Sequence, residues 1–264
     1  MTADKLVLTS QIGAVLVVRF NRPERLNAWT SALEDAYFAV LDEADADPNV
    51  RAIVVTGEGK GFCAGADMDD LSDVSRGTRA IDRPRPRYTP ALISTPLIAA
   101  INGACAGLGL IEALYCDVRF CTPEAKITTA FARRGLIAEY GLSWLLPQLV
   151  GHSRASDLLL SGRIITGADA HRYGLVDELA DTDQIVDTAV AYATDLARYS
   201  SPTSMAMMKQ QLRDAMGFDA MIAASDRSEE ITRVAVTRPD FAEGIASYQE
   251  KRDPHFAPYT GPIG

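Results

Sequence analysis

Two stretches of the chain share one pattern: a short, wholly apolar run, a glycine-rich segment, then a helix-like pattern. They are Ala52–Met68 (AIVVTGEGKGFCAGADM) and Pro96–Leu114 (PLIAAINGACAGLGLIEAL). A wholly apolar strand must be buried on both faces, which a parallel sheet covered by helices provides. Each glycine segment leads into a helix N-terminus, where unpaired N–H groups and the helix dipole favour negative charge. Two such ends facing one point make an oxyanion hole without any side chain. Taken singly, either loop is an ordinary strand-to-helix turn; the pair constrains both fold and chemistry.

The flanking sequence fits an α/β chain. Lys5–Ser10 and Ala14–Phe20 read as a hairpin separated by Gln11–Gly13. Asn21–Arg25 is a turn, with Pro23 fixing the backbone. Thr30 is a candidate N-cap for a helix carrying Leu33, Tyr37, Val40, Leu41 and Ala44, and Pro48 ends it. A helix start is expected over Ala66–Leu71, Gly57–Gly65 is read as a glycine-rich loop, and Asn102–Leu110 is read as turning into a helix that ends near Cys116. Ser72–Thr89 is polar, holds Arg76, Arg79, Arg83, Arg85 and Arg87, and is expected to be a mobile surface segment. Val118–Cys121 and Lys126–Thr128 read as strands, Gly141–Val150 and Ser153–Leu160 as helices. From Asp183 to Lys251 the pattern is nearly all helix, broken at Pro202 and Pro239. The expected organisation is an α/β core over residues 1–200 and a helical region over 201–264.

Composition removes several function classes. A net charge of −9 gives no basic face for a nucleic acid. No apolar run reaches about eighteen residues, so no membrane span is expected, and MTADKLVLTS has no signal-like apolar core. Cys63, Cys105, Cys116 and Cys121 form no CxxC pair and are read as reduced and buried, which fits a cytoplasmic protein. Three scattered histidines, His152, His171 and His255, give no metal set, and His152 is read as a helix cap. Gly107–Glu112 starts like a dinucleotide fingerprint but lacks its third glycine, and Gly59-Lys60 has no Ser or Thr after the lysine. Cys63 has two readings, nucleophile or small buried hydrophobe; no histidine lies near it in sequence, which favours the second.

The chain resembles the enoyl-CoA hydratase/isomerase family, also called the crotonase superfamily. The match is carried by NRPERLNAW (Asn21–Trp29), GEGKGFCAGADM (Gly57–Met68), PLIAAINGACAGLG (Pro96–Gly109) and Cys116–Asp117. Ser161–Ile165 with Gly174–Val176, and Glu243–Arg252, extend it over nearly the whole chain. The resemblance implies a spiral of repeated ββα units with a helical C-terminal trimerisation region packing on neighbouring subunits. It implies a homo-trimer or hexamer acting on acyl-CoA thioesters, with no cofactor beyond the coenzyme A of the substrate.

Carried onto this sequence, the resemblance makes Ala66 and Leu108 the two oxyanion N–H donors. Leu108 stands where relatives have the middle glycine of three, so a side chain is added beside the thioester. Arg25, Leu26, Ala28, Ala64, Asp67, Met68 and Gly107 fall in the segments that bind the CoA ester. Lys251 matches a lysine that reaches the nucleotide phosphates, often from a neighbouring subunit; the other reading is a solvated helix-end charge.

The acid/base positions depart from a two-glutamate hydratase. Ile111 stands at the first glutamate and Phe131 at the second. Glu112 is one residue on, a rotation of about 100° on a helix, and is a secondary candidate only. A third acidic position, used by isomerases, dehalogenases and naphthoate synthases of this superfamily, is Glu139 in LIAEYGLSW. Its apolar setting would raise its pKa, as a base working near neutrality needs. The other reading is that Glu139 caps the helix at Gly141 or pairs with Arg133 or Arg134. Phe131, Tyr140 and Trp144 are candidates for an acyl pocket, with core packing as the alternative. One carboxylate and an oxyanion hole suffice for a 1,3-proton shift, so an isomerase is favoured over a hydratase. A catalytically silent acyl-CoA-binding protein and a CoA-thioester hydrolase are the alternatives.

Overall fold

The computed structural model describes residues 5–80 and 83–258. Residues 1–4 of the N-terminal stretch, 81–82 of the arginine-rich segment and 259–264 of the helical region lie outside these. Strands β1 (Val7–Ile12) and β2 (Val15–Phe20) form the hairpin, with Ile12 facing Val15 across a two-residue turn. A 3-10 turn at Pro23–Arg25 leads to helix α1 (Ser31–Ala46), where Thr30 Oγ1 accepts from the Leu33 N–H at 3.2 Å.

The next part repeats one unit. Strand β3 (Ala52–Gly57) is followed by β4 (Gly61–Cys63) and helix α2 (Met68–Ser75). After the short helix α3 (Thr89–Leu92), β5 (Leu97–Ile101) is followed by β6 (Ala104–Ala106) and α4 (Leu108–Leu114). Strands β7 (Val118–Cys121) and β8 (Lys126–Thr128) begin a third round. In each round the first strand joins one sheet and the second strand another, which makes the chain a spiral of ββα units. Helices α5 (Leu142–Val150) and α6 (His152–Ser161), strand β9 (Ile165–Thr166), helix α7 (Gly167–Tyr173) and strand β10 (Glu178–Leu179) follow. Among the described residues four helices follow: α8 (Ile185–Tyr199), α9 (Pro202–Met216), α10 (Phe218–Ala235) and α11 (Pro239–Glu250).

The larger sheet has the order β1-β2-β3-β5-β7-β10, parallel except for the β1 edge; the smaller has the order β4-β6-β8-β9. Successive side chains of a strand point to opposite faces, and both faces of the large sheet are covered. Ile53, Val55, Leu97, Ala99 and Ile101 enter the main core between the sheets. Ala52, Val54, Ile98 and Ala100 face α8, which meets them with Ile185, Ala189, Ala193 and Ala197. That alanine stripe, four residues apart, lets the helix lie close on the sheet.

The structure corrects several expectations. The glycine stretches are not loops throughout, since β4 and β6 lie inside them. Three residues give no periodicity to read, and GFC and ACA contain no β-branched side chain. Helix α2 begins at Met68 rather than Ala66, capped by Asp67, whose carboxylate accepts from the Asp69 N–H at 3.0 Å. The N-cap of α6 is Gly151, and His152 is that helix's first residue.

The arginine-rich segment was expected to be mobile, but its described part is strapped to α1. Arg79 pairs with Asp70 and donates to Ser31 Oγ. Arg83 pairs with Glu34 at 2.7 Å and with Asp35, and Arg85 with Asp42 at 2.7 Å. Arg87 Nε lies 2.8 Å from Glu34 Oε2, although its N–H is not aimed for a hydrogen bond. Exposed ion pairs contribute little each, but Glu34 is buried, and so its two arginines are held more firmly.

Candidate active site

A cavity of about 580 Å³ opens between the two glycine segments, the 130s and the last two helices. Its architecture starts with two backbone contacts. Gly65 has φ +94° and Gly107 φ +49°, both in territory that side chains avoid. A Cβ on Gly107 would stand 3.8 Å from Gly65 Cα, so the two glycines touch across the cavity floor. The residue after each glycine is Ala66 and Leu108.

The Ala66 N–H points away from its neighbouring strand segment. Ala66 forms a parallel bridge with Trp29, in which Trp29 N donates to Gly65 O and Asp67 N to Trp29 O. Those bonds occupy the amides on either side of Ala66, and alternation along an extended chain turns its own N–H to the opposite edge. Leu108 is the first residue of α4, so its N–H has no intrahelical acceptor. No other partner takes either N–H among the described residues. Leu108's side chain packs into the main core while lining the cavity.

Polar side chains lock these loops. Asn27, fully buried, donates to Gly61 O at 2.7 Å and to Glu58 O at 3.0 Å, and accepts from Arg22 N at 2.8 Å. Arg22 donates to Asp67 Oδ2 at 2.9 Å. Burial disfavours the charge of Asp67, but the Arg22 and Asp69 hydrogen bonds more than offset it and hold its pKa below the usual range.

Glu139 enters the cavity from a strained turn. Tyr140 (φ +50°) and Gly141 (φ +74°) are both left-handed, a conformation that persists only where the surroundings impose it. Tyr140 N donates to Ser228 Oγ at 2.9 Å, and Tyr140 O accepts from Tyr115 Oη at 2.6 Å. The Glu139 carboxylate accepts from Thr232 Oγ1 at a long 3.4 Å. Burial pushes its pKa up to about 7, against the opposing pull of the Arg87 cation and the Thr232 hydrogen bond. Neither alternative reading of Glu139 holds for its side chain. Only its backbone oxygen accepts from Leu142 N, Arg133 donates to Ser161 O, and Arg134 lies over Tyr248.

The structure brings together most residues singled out from the sequence. Arg25, Leu26, Ala28, Ala64, Ala66, Asp67, Met68, Gly107, Leu108, Phe131, Glu139 and Tyr140 all line the cavity. Glu112 does not. It is buried behind the wall with Oε2 unpartnered, and burial, reinforced by Glu34 and opposed by Arg87, pushes its pKa well up. Lys251 is also absent from the wall, standing exposed as the left-handed C-cap of α11. Trp144 is half-buried elsewhere. Arg87 comes from the arginine-rich segment, while Arg134, Thr232, Val236, Phe241 and Tyr248 were not singled out as wall residues from the sequence. No local signal marks the last four, because long-range packing of α10 and α11 brings them in.

A family model described as enoyl-CoA hydratase/isomerase matches residues 10–258. The chain belongs to the enoyl-CoA hydratase/isomerase family. It is 31% identical to a 1,2-epoxyphenylacetyl-CoA isomerase of Escherichia coli (strain K12), covering 96% of this chain and 98% of that one. A crystal structure of an enoyl-CoA hydratase EchA12_1 from Mycobacterium marinum is 45% identical, with a TM-score of 0.70 over 80% of this chain and 98% of that one. An enoyl-CoA hydratase/isomerase structure from Pseudoalteromonas atlantica T6c is 31% identical, with a TM-score of 0.84 over 96% of this chain and 100% of that one. The spiral of ββα units is thus the fold of this enoyl-CoA hydratase/isomerase family member, and the family acts on CoA thioesters.

Proposed function

We propose that this protein isomerises enoyl-CoA thioesters by a 1,3-proton shift with Glu139 as the single base. The thioester carbonyl oxygen sits between the Ala66 and Leu108 N–H groups. The Glu139 carboxylate takes a proton from C2, and the electron pair moves onto the carbonyl oxygen as a dienolate. The two N–H groups stabilise that charge, and losing one such donor costs roughly a hundred- to a thousandfold in rate. The protonated Glu139 returns its proton at C4, the double bond shifts, and neither water nor a redox partner is consumed. No cofactor beyond the substrate's coenzyme A is needed.

The observation that carries this reading is the state of Glu139 in the cavity wall. The other wall carboxylates differ: Glu24 is exposed, Asp67 is bonded to Arg22 and Asp70 to Arg79. Among the described residues Glu139 alone of the wall carboxylates is buried without a cationic hydrogen-bond partner, and a pKa of about 7 suits a base near neutrality. Ile111 and Phe131 at the hydratase positions argue against the two-carboxylate handling of water. We further propose a cytoplasmic homo-trimer or hexamer. Its support is α9, which has no buried residue in the single chain and exposes Met207, Met208 and Leu212.

The test is turnover of 3-enoyl-CoA and 2-enoyl-CoA by the purified protein and by Glu139→Gln. The proposal expects interconversion of the two double-bond positions, lost in the variant while thioester binding persists. An unaffected rate in Glu139→Gln removes Glu139 as the base. Release of free CoA would mean a hydrolase, and binding without turnover a silent carrier.

A further inference from the structure

Six cationic side chains reach the cavity wall: Arg25, Arg79, Arg83, Arg87, Arg134 and Lys126. Four are matched by acids. Arg25 pairs with Asp69, Arg79 with Asp70, Arg83 with Glu34 and Asp35, and Arg87 lies against Glu34. Arg134 differs from them. Among the described residues no carboxylate lies within 4.0 Å of it; Nη1 donates to Arg133 O at 3.1 Å, and Tyr248 is a further side-chain hydrogen-bond partner.

Arg134 is nevertheless held in one place. Its guanidinium carbon lies 3.9 Å over the ring centre of Tyr248, itself a wall residue. The backbones beneath the pair are jammed together: a Cβ on Gly244 of α11 would stand 2.4 Å from the Arg134 carbonyl carbon. Burial disfavours the charge of Arg134, Tyr248 supports it and neighbouring Arg133 opposes it, with a net lowering of its pKa. An aromatic stack and a rigid backbone thus present a planar, five-donor fork to the cavity with no anion to receive it. Lys126 also lacks a carboxylate, but no hydrogen bond fixes its ammonium among the described residues.

We propose that Arg134 is the anion anchor of the cavity and receives a phosphate or carboxylate group of the bound thioester. The inference rests on reading the cavity as a CoA-thioester site. Two sources carry the same chemistry: the phosphates of coenzyme A, or a carboxylate at the far end of the acyl chain. Guanidinium–oxyanion pairs are short, bidentate and among the stronger polar contacts. Because the fork is already positioned, little side-chain freedom is lost when the anion arrives.

Calorimetric titration of the whole chain with CoA, butyryl-CoA and glutaryl-CoA tests the anchor in the native protein, Arg134→Leu and Arg134→Lys. The expected result is a weakening of roughly ten- to a hundredfold in Arg134→Leu, partly recovered in Arg134→Lys. Equal weakening for all three ligands assigns the anion to the CoA phosphates. Weakening confined to glutaryl-CoA assigns it to an acyl carboxylate. Arg134→Gln replaces Arg134→Leu if the latter fails to fold. Unchanged affinity for all three ligands in a folded variant overturns the proposal. Binding is read without turnover, so the result is separate from the fate of Glu139 as base.

Discussion

The guanidinium carbon of Arg87 lies 4.4 Å above the ring centre of Tyr140, the residue that follows Glu139. The strap over α1 thereby reaches the candidate base. Burial disfavours the charge of Arg87, but Tyr140, Glu34, Glu139 and Glu112 more than offset this and keep it cationic. In return Arg87 opposes the burial that raises the Glu139 pKa. Arg87→Gln removes that opposition, so the Glu139 pKa rises above about 7. A pH profile of kcat/KM then shows the acidic limb displaced to higher pH, with lost rate regained on the alkaline side. A limb that stays put, in a variant still folded and active, argues that Arg87 serves the strap alone.

The same carboxylate makes stability depend on pH. Its pKa goes from an ordinary 4.5 to about 7 in the folded protein, so the folded state holds the extra proton between these values. The contribution of Glu139 is fully present below the unfolded pKa and is lost as pH rises through about 7. Glu139→Gln removes this dependence, and Thr232 can still donate to the amide oxygen. Urea unfolding at pH 8 is expected to find the variant more stable by up to roughly 3 kcal/mol, a gap that closes toward pH 5. Parallel stability curves for the two proteins across this range would contradict the buried, raised carboxylate.

Much of this was readable in the sequence where the signal is local. Thr30 followed by Leu33, Tyr37 and Leu41 gives the cap and buried face of α1, and apolar runs give β3 and β5. Ala66 and Leu108 were placed by the resemblance, and the glycine before each has positive φ in the structure. Glu139 was also placed by the resemblance, and its apolar neighbours in sequence pointed to the burial found for it. What could not be read is pairing at a distance. Arg83 meets Glu34 across 49 residues, and Thr232 meets Glu139 across 93. Polar segments look alike whether solvent or a partner helix takes their charges, so the strap was read as mobile. Lys251 was placed by resemblance alone, and its side of α11 is exposed in the single chain.

Gly107 separates backbone direction from side-chain crowding. Its φ of +49° and ψ of −118° suit glycine only, yet a Cβ there meets nothing closer than 3.8 Å. Gly107→Ala therefore introduces strain of about 1–3 kcal/mol without a clash. Relief of that strain turns the Leu108 N–H off target, and kcat falls by roughly a hundred- to a thousandfold. Leu108→Ala keeps the N–H and loses only packing, so its kcat survives while its unfolding free energy drops by about 2–5 kcal/mol. Steady-state kinetics beside chemical unfolding reads both. Equal loss of kcat in the two variants would mean that the side chain, not the N–H, matters.

Glu112 provides the control for Glu139. Its Oε2 is buried without a hydrogen-bond partner, close to an equally unpartnered Tyr37 hydroxyl, and it lies outside the cavity wall. Burial first, then the Glu34 charge, raises its pKa, so the folded state holds it protonated well above the ordinary range. The stabilisation from that proton is complete below the unfolded pKa and disappears as pH rises through the raised folded value. Glu112→Gln keeps the shape and removes the titration. Turnover in Glu112→Gln is expected to stay within about twofold of the native rate, as for a residue making no transition-state contact. Its unfolding free energy should match the native protein at low pH and exceed it at alkaline pH. The comparison with Glu139→Gln is decisive because both variants neutralise a buried glutamate. If Glu112→Gln binds thioester but cannot turn it over, while Glu139→Gln works, the base has been assigned to the wrong side of the wall.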